Sequence, residues 1–146
     1  MNIFNIFYAD DDQDDIMFFE DAINDLIASL NKSIKFHPHI NGENLLESIS
    51  EKSVENSLLF LDLNMPIKNG FQLLEEIRKE PAINDIPVII YSTSSDDGNI
   101  ELSRKLGANY YAIKPNSFGD LKRMIEKAIN INWKNHMPDF NNFIFK

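Results

Sequence analysis

Leu58-Leu59-Phe60-Leu61-Asp62-Leu63-Asn64-Met65-Pro66 is the stretch on which the fold turns. Its continuous apolar run reads as a strand buried on both faces, the pattern of a parallel sheet sandwiched between helices. The run stops at a carboxylate, Asp62. Pro66 and Gly70 then punctuate a turn, and Phe71, Leu74 and Ile77 begin a pattern of helical spacing. Strand, polar tip, turn and helix make one unit, and the same unit recurs on either side.

Upstream, residues 3–9 (IFNIFYA) are rich in strand formers and run into Asp10-Asp11-Asp12, after which Ile16, Phe19, Ile23, Ile27 and Leu30 fall at helical spacing. Residues 34–40 (IKFHPHI) read as a second strand, and Pro38 within it predicts a sheet edge. Residues 43–50 suit a short helix. Downstream, Pro87 to Tyr91 is a further buried strand ending in Ser92 and Thr93, and a helix over about 97–106 closes at Gly107, which suits a left-handed cap. Asn109 to Ile113 predicts the fifth strand, stopped by Lys114-Pro115, and Leu121, Met124, Ile125, Ala128 and Ile129 mark the last helix.

Five strand–helix units in alternation predict an α/β fold: a single five-stranded parallel sheet, doubly wound, with flavodoxin-like strand order 2-1-3-4-5. Residues 1–134 are expected to form the domain and residues 135–146 a tail carrying Pro138, Phe140, Phe143, Ile144 and Phe145, which either packs back on the domain or meets a partner.

The 146 residues suffice for one domain with its own core. Cysteine is absent, which excludes disulfides and thiolate metal sites. No apolar run reaches the ~20 residues of a membrane span. Met1-Asn2-Ile3-Phe4 lacks the flanks of a signal peptide, so a cytoplasmic location is expected. The net charge of −9 argues against direct nucleic-acid binding, which rests on neutralising phosphates. Charge is also unevenly spread: eight acids and no Lys or Arg lie between Ala9 and Asp25, whereas five Lys and Arg face two acids from Lys114 to Lys134.

Ligands of such sheets bind beyond the carboxyl ends of the strands. Strands one, three, four and five, neighbours in the expected order, end respectively in Asp10-Asp11-Asp12, Asp62, Ser92-Thr93 and Lys114. Crowded carboxylates repel unless protonated or bridged by a cation, and an all-oxygen, partly hydrated site suits Mg²⁺. A carboxylate there is also a nucleophile toward phosphorus, a lysine can balance charge on phosphoryl oxygens, and a hydroxyl can donate to the product. Each group has a plainer reading too: Asp10 to Asp15 as helix capping, Asp62 and Lys114 as turn residues, the hydroxyls as strand-end partners of the backbone, Tyr111 as packing. His37 and His39 alternate on one strand face and read as edge surface rather than a metal site.

The segment Leu61-Asp62-Leu63-Asn64-Met65-Pro66 with Gly70 resembles the phosphoacceptor motif of bacterial response-regulator receiver domains. Asp10-Asp11, Pro87 to Ser92, and Gly107 to Pro115 resemble the family's acidic pair, its fourth strand with the switch hydroxyl, and its final strand with the switch aromatic and a lysine–proline pair. The likeness covers about residues 3 to 131. It implies that Asp62 is the phosphoacceptor; that Asp11 and Asp62 hold Mg²⁺ by side chains, Asn64 by its carbonyl and Asp10 through water; that Lys114 binds the phosphoryl group; that Ser92, beside Thr93, is the moving hydroxyl; that Tyr111 turns between outward and inward positions; and that the bond before Pro115 is cis. Ser92 departs from the commoner threonine, and Asp12, Asp14 and Asp15 make the acidic loop heavier than most. That loop is similar to those of stand-alone receivers associated with phytochrome-type kinases.

By this resemblance the chain is a single-domain response regulator, too short after its fifth strand for an output module, that catalyses only its own phosphorylation and dephosphorylation. Its partners would be a sensor histidine kinase or a histidine phosphotransfer protein and a downstream protein target, with room for a homodimer through the last helices. Two alternatives stand beside it. One is a Mg²⁺-dependent aspartyl-phosphate phosphatase of the haloacid-dehalogenase type. Against it stand Asn64 in place of that motif's second aspartate and the lack of a cap insertion. The other is a pseudo-receiver acting only as a binding module.

Overall fold

A computed structural model describes residues 3–52, 54–136 and 140–146, the side chain of Phe140 excepted. Pro138, and the Met1-Asn2 start, lie outside the described residues. In chain order the elements are β1 (Phe4–Asp10), α1 (Gln13–Leu30), β2 (Ile34–Ile40), α2 (Leu45–Ser50), β3 (Ser57–Leu61), α3 (Gly70–Lys79), β4 (Val88–Ser92), α4 (Asp97–Lys105), β5 (Tyr110–Ile113) and α5 (Phe118–Ile129), with short 3₁₀ turns at Val54–Asn56, Trp133–Asn135 and Phe140–Asn142.

All five strands are parallel in the order β2-β1-β3-β4-β5, as the alternation predicts. Pro38 does lie on the edge strand, where its missing N–H costs no ladder bond on the outer side. Residues of each inner strand face opposite helical layers in turn. Ile6, Tyr8, Leu58, Phe60, Ile89 and Tyr91 pack with Ile16, Phe19 and Ile23 of α1 and Leu121 and Ile125 of α5. Phe7, Leu59, Leu61, Val88 and Ile90 pack on the other side with Leu45 and Ile49 of α2 and Leu73, Leu74 and Ile77 of α3. Phe19 anchors the first layer, its ring centroid 4.5 Å from Tyr8, 5.0 Å from Phe60 and 5.6 Å from Tyr91.

Helix ends follow local chemistry. Helix α1 starts at Gln13, before the apolar spacing begins, because the Asp12 carboxylate caps the N–H groups of Asp14 and Asp15. Asn69 and Gln72 form a reciprocal capping box at α3. Helix α4 ends in a Schellman motif: Ala108 N–H donates to Ser103 O at 3.0 Å and Gly107 N–H to Arg104 O at 3.1 Å, with Gly107 at φ +101°. Arg78 ties the opposite end of the sheet together, donating to the carbonyls of Asn84, Ile86 and Gly107 and to Asn109 Oδ1.

One feature departs from expectation, and one open alternative is decided. No cis peptide occurs among the described residues, so the Lys114–Pro115 bond is trans. Trans is intrinsically favoured by about 0.5–1 kcal/mol for an X–Pro bond, and with it Lys114 still reaches its carboxylate partners. Of the two readings open for the tail, it packs back on the domain: Phe143 and Phe145 are buried, and Ile144 forms a parallel bridge with Tyr111 on the outer edge of β5.

Ile67 sits at φ +69° between Pro66 and Lys68, whose O and N–H are joined at 2.8 Å across a three-residue turn. A β-branched residue is strained there, and its side chain, 92% exposed, gains no packing in return. Ile67→Gly is expected to raise stability by about 1 kcal/mol. A urea midpoint equal to or below that of the parent would show that the turn carries no such strain.

Candidate functional site

The site lies where the sheet's carboxyl edge meets the loops after β1, β3, β4 and β5. Strand pairing sets the groups side by side: Ala9 is in register with Leu61, so the next residues along, Asp10 and Asp62, are neighbours. Oxygens of Asp10, Asp11 and Asp62 all lie within 4.8 Å of one another. Lys114, one residue past β5, reaches over the tips of β4 and β3 to put Nζ 2.8 Å from Asp10 Oδ2 and 3.8 Å from Asp62 Oδ2.

The three carboxylates are not equivalent. Asp10 is fully buried and saturated: its Oδ2 accepts from Tyr8 OH and Lys114 Nζ, and its Oδ1 accepts from Asp12 N–H at 3.0 Å. Burial works against its charge, but the bonds from Lys114, Tyr8 and the backbone outweigh this and hold its pKa below the ordinary carboxylate range. Asp62, 4% exposed, has one hydrogen bond, from Leu63 N–H at 2.9 Å to Oδ1. Burial, and then the neighbouring Asp10 charge, push it up to about 7. Asp11 is exposed at the mouth, and its pKa is also raised, by desolvation and by Asp10. One carboxylate therefore fixes the lysine, and two are left short of positive charge.

That donor set fits a divalent cation: hard oxygen ligands, two of them under-compensated, opening on a shallow cleft of about 600 Å³ that Asp11, Asn64, Met65, Phe71 and Asn99 share. Asn64 is exposed at this cleft. Gly70 brings the loop in close. A Cβ there would lie 2.3 Å from the Asp62 carbonyl and 2.9 Å from Leu63 Cα, so only glycine lets α3 start against the β3 tip.

The hydroxyls separate cleanly. Ser92 is fully buried, with Oγ accepting from Ser94 N–H at 3.2 Å, whereas Thr93 is exposed and faces away from this packing. Tyr111 is inward and fully buried, its OH donating to Ser94 O at 2.8 Å. Ser92, Ser94 and Tyr111 thus link the β4 tip to β5. His37 and His39 stay apart from the site: His37 Nε2 meets Asn5 Oδ1 at 2.8 Å, and its ring stacks on Phe7 at 4.6 Å.

Two contributors escaped the sequence reading. Asp15 Oδ2 accepts from Lys114 Nζ at 2.8 Å, so the lysine is held from both sides. Burial opposes the lysine's charge, and the bonds to Asp10 and Asp15 raise its pKa regardless. Tyr8, buried in the aromatic cluster, donates to Asp10. Alternation along β1 places Tyr8 and Asp10 on one face, a signal present in the sequence. Asp15 has no such signal within a run of five acids.

Residues 6–126 match the family described as the response regulator receiver domain. The chain belongs to that family. Receiver domains similar to it include the response regulator Rcp1 of Synechocystis, 36% identical over 76 residues that cover 52% of each chain. The chain thus spans about half the length of this relative, and 31% of the chemotaxis protein CheV1 of Helicobacter pylori, which it matches at 28% identity over 67% of its own residues. Among solved structures, the phosphorylated cyanobacterial phytochrome response regulator RcpA superposes with a TM-score of 0.72 at 27% identity, covering 93% of this chain and 97% of that one. The chemotaxis regulator CheY4 of Vibrio cholerae, at 16% identity and a TM-score of 0.70 over 86% of this chain and 98% of its own, shares the fold. The acidic cluster, lysine and buried hydroxyl of this receiver domain occupy the carboxyl edge that the resemblance assigns to them.

The crowding has a stability consequence. Without cation, the folded receiver domain holds the Asp62 proton more tightly than the unfolded chain does. The residue's contribution to stability is full below about pH 4 and lost as pH rises through about 7. Asp62→Asn is expected to raise the melting temperature in chelator at pH 8, a gain on the order of 1–3 kcal/mol that shrinks at pH 5. A variant less stable than the parent at pH 8 would mean that the cluster is not under electrostatic stress. Separately, Tyr8→Phe is expected to weaken the grip on Asp10 and cost about 1–2 kcal/mol at pH 7. An unchanged unfolding midpoint would show that the tyrosine adds nothing.

Proposed function

We propose that this receiver domain takes a phosphoryl group onto Asp62 from phosphohistidine on a sensor kinase or histidine phosphotransfer protein, and that the modified state alters its protein contacts. The reading is carried by one observation: a buried aspartate, poor in hydrogen bonds, at the end of an apolar central strand, with two other carboxylates and one fixed lysine within reach.

The transfer balances simply. An Asp62 carboxylate oxygen forms the new O–P bond as the N–P bond of the donor imidazole breaks, and the bonding electron pair stays on the imidazole nitrogen. Mg²⁺ would be held by Asp11, Asp62 and the Asn64 carbonyl, with Asp10 acting through water, and would supply neutralisation of phosphoryl charge. The Mn²⁺-bound form in which Rcp1 has been solved is in keeping with a divalent ion in this fold. Lys114, clamped by Asp10 and Asp15, is preorganised to stabilise the transferred oxygens without first being ordered. Asp62 gives up one charge and receives a dianion, and the Ser92–Ser94–Tyr111 link is the polar path by which that change reaches β5.

With a small phosphodonor and Mg²⁺, the intact mass is expected to rise by one phosphoryl group. The increment should vanish in chelator and in Asp62→Ala. Equal labelling of Asp62→Ala, or no labelling of the parent chain under any donor, defeats the proposal. Lys114→Ala should slow labelling at least ~100-fold, in line with the loss of one charge-stabilising group, while leaving Mg²⁺ binding measurable by calorimetry.

A further inference from the structure

The two oxygens of a carboxylate offer about four acceptor positions, and at Asp10 most of them are taken. Tyr8 OH and Lys114 Nζ both donate to Oδ2, the lysine at 2.8 Å, and Asp12 N–H donates to Oδ1 at 3.0 Å. Tyr8 differs from the other donors in where it comes from. It rises from the core, fully buried, with its ring wedged among Phe19 at 4.5 Å, Tyr91 at 5.6 Å and Phe36 at 6.4 Å. A ring packed so closely has nowhere else to carry its hydroxyl. Burial and the charge of Asp10 keep the phenol protonated, so it donates to the carboxylate. Asp10, itself fully buried, is left to meet the cleft through Oδ1.

That restriction bears on which ion the cluster takes. Mg²⁺ keeps several waters and needs only one or two carboxylates, whereas Ca²⁺ asks for about six to eight oxygens and readily takes both oxygens of one carboxylate. Groups that hydrogen-bond a ligating carboxylate decide which of its oxygens is free and how strongly it binds. We propose that Tyr8 is a specificity-determining residue of the ion site: by occupying Asp10 Oδ2 from below, it limits this carboxylate to single-point contact and so favours Mg²⁺ over Ca²⁺. Lys114 does not impose the same limit, because its ammonium is shared with Asp15 at 2.8 Å and can shift toward it as an ion arrives. The wedged phenol has no such freedom. Loss of the hydroxyl returns an acceptor position to Oδ2, and Ca²⁺ gains more from it than Mg²⁺ does. The inference rests on the reading of Asp10, Asp11 and Asp62 as an ion site and does not require phosphoryl transfer to Asp62.

Calorimetric titration of the full chain with magnesium chloride and, separately, calcium chloride gives the ratio of the two dissociation constants. The parent is expected to bind Mg²⁺ more tightly than Ca²⁺, and the reverse order overturns the proposal whatever the variants do. In Tyr8→Phe, which keeps the ring, the ratio is expected to move toward Ca²⁺ at least threefold. Tyr8→Leu is a second, independent loss of the hydroxyl and is expected to move it the same way. Tyr91→Phe takes a phenol from the same aromatic floor but not from Asp10, and should leave the ratio where the parent has it. A packing defect would weaken both ions together, so the ratio separates ion choice from mere support. The proposal is overturned if cooperatively folded Tyr8 variants change the ratio less than threefold or toward Mg²⁺, or if Tyr91→Phe shifts it equally. A parent that binds neither ion overturns it together with the ion site. A parent that is labelled on Asp62 with Mg²⁺, while the ratio fails to move, loses this inference and keeps the phosphoacceptor reading.

Discussion

The rest of the molecule is arranged around one electrostatic imbalance: three carboxylates converge at a sheet edge and a single ammonium is fixed among them. Such convergence is costly in isolation, because like charges within a few ångströms raise one another's pKa and burial compounds the effect. The fold sustains it by rigid support from below. Tyr8, Phe19, Phe60 and Tyr91 form an aromatic floor beneath the site. Tyr8 turns its hydroxyl up to Asp10, and the Tyr91 ring lies 5.5 Å beneath the lysine. Burial pushes the phenol of Tyr8 well above its ordinary range, and Asp10 adds to this, so it acts only as a donor.

The same floor explains why the charge imbalance stays local. A parallel sheet with helices on both faces leaves little but its strand tips for polar chemistry. Asp10, Asp62, Ser92 and Lys114 are each the last residue of a strand or the first beyond it. Their backbones are held by neighbouring strands, so relative positions are set by register rather than by loop conformation. Gly70 extends this control to the one loop that must come close, since any side chain there would collide with the Asp62 backbone.

Much of this was legible in the sequence, and for identifiable reasons. Buried strands announce themselves as apolar runs, and Leu58 to Leu61 could hardly be anything else. Strand order followed from alternation, and the site followed from reading the residue after each strand. What escaped had no periodic signature. Asp15 is one acid among five, and its position in the first turn of α1 rather than its residue type selects it for Lys114. For the tail, packing back was one of two open readings, and what stayed illegible was where it docks, which is set by an edge formed more than thirty residues earlier. The cis bond before Pro115 came from family resemblance alone, and local geometry carries the trans form instead.

The unequal treatment of the three carboxylates is what supports the proposal that Asp62 is the one that reacts. A nucleophile must be ionised in the act yet not already neutralised by strong partners. Asp10 fails on the second count, because tyrosine, lysine and a backbone N–H consume its lone pairs. Asp11 is exposed and does not contact the lysine at bonding distance, so a group bound there would be left to solvent. Asp62 alone combines burial, a poised proton affinity near neutrality and an ammonium near enough to share its product's charge. Under that proposal Asp10 and Asp15 are anchors: by holding Lys114 from two sides they keep its charge beside Asp62.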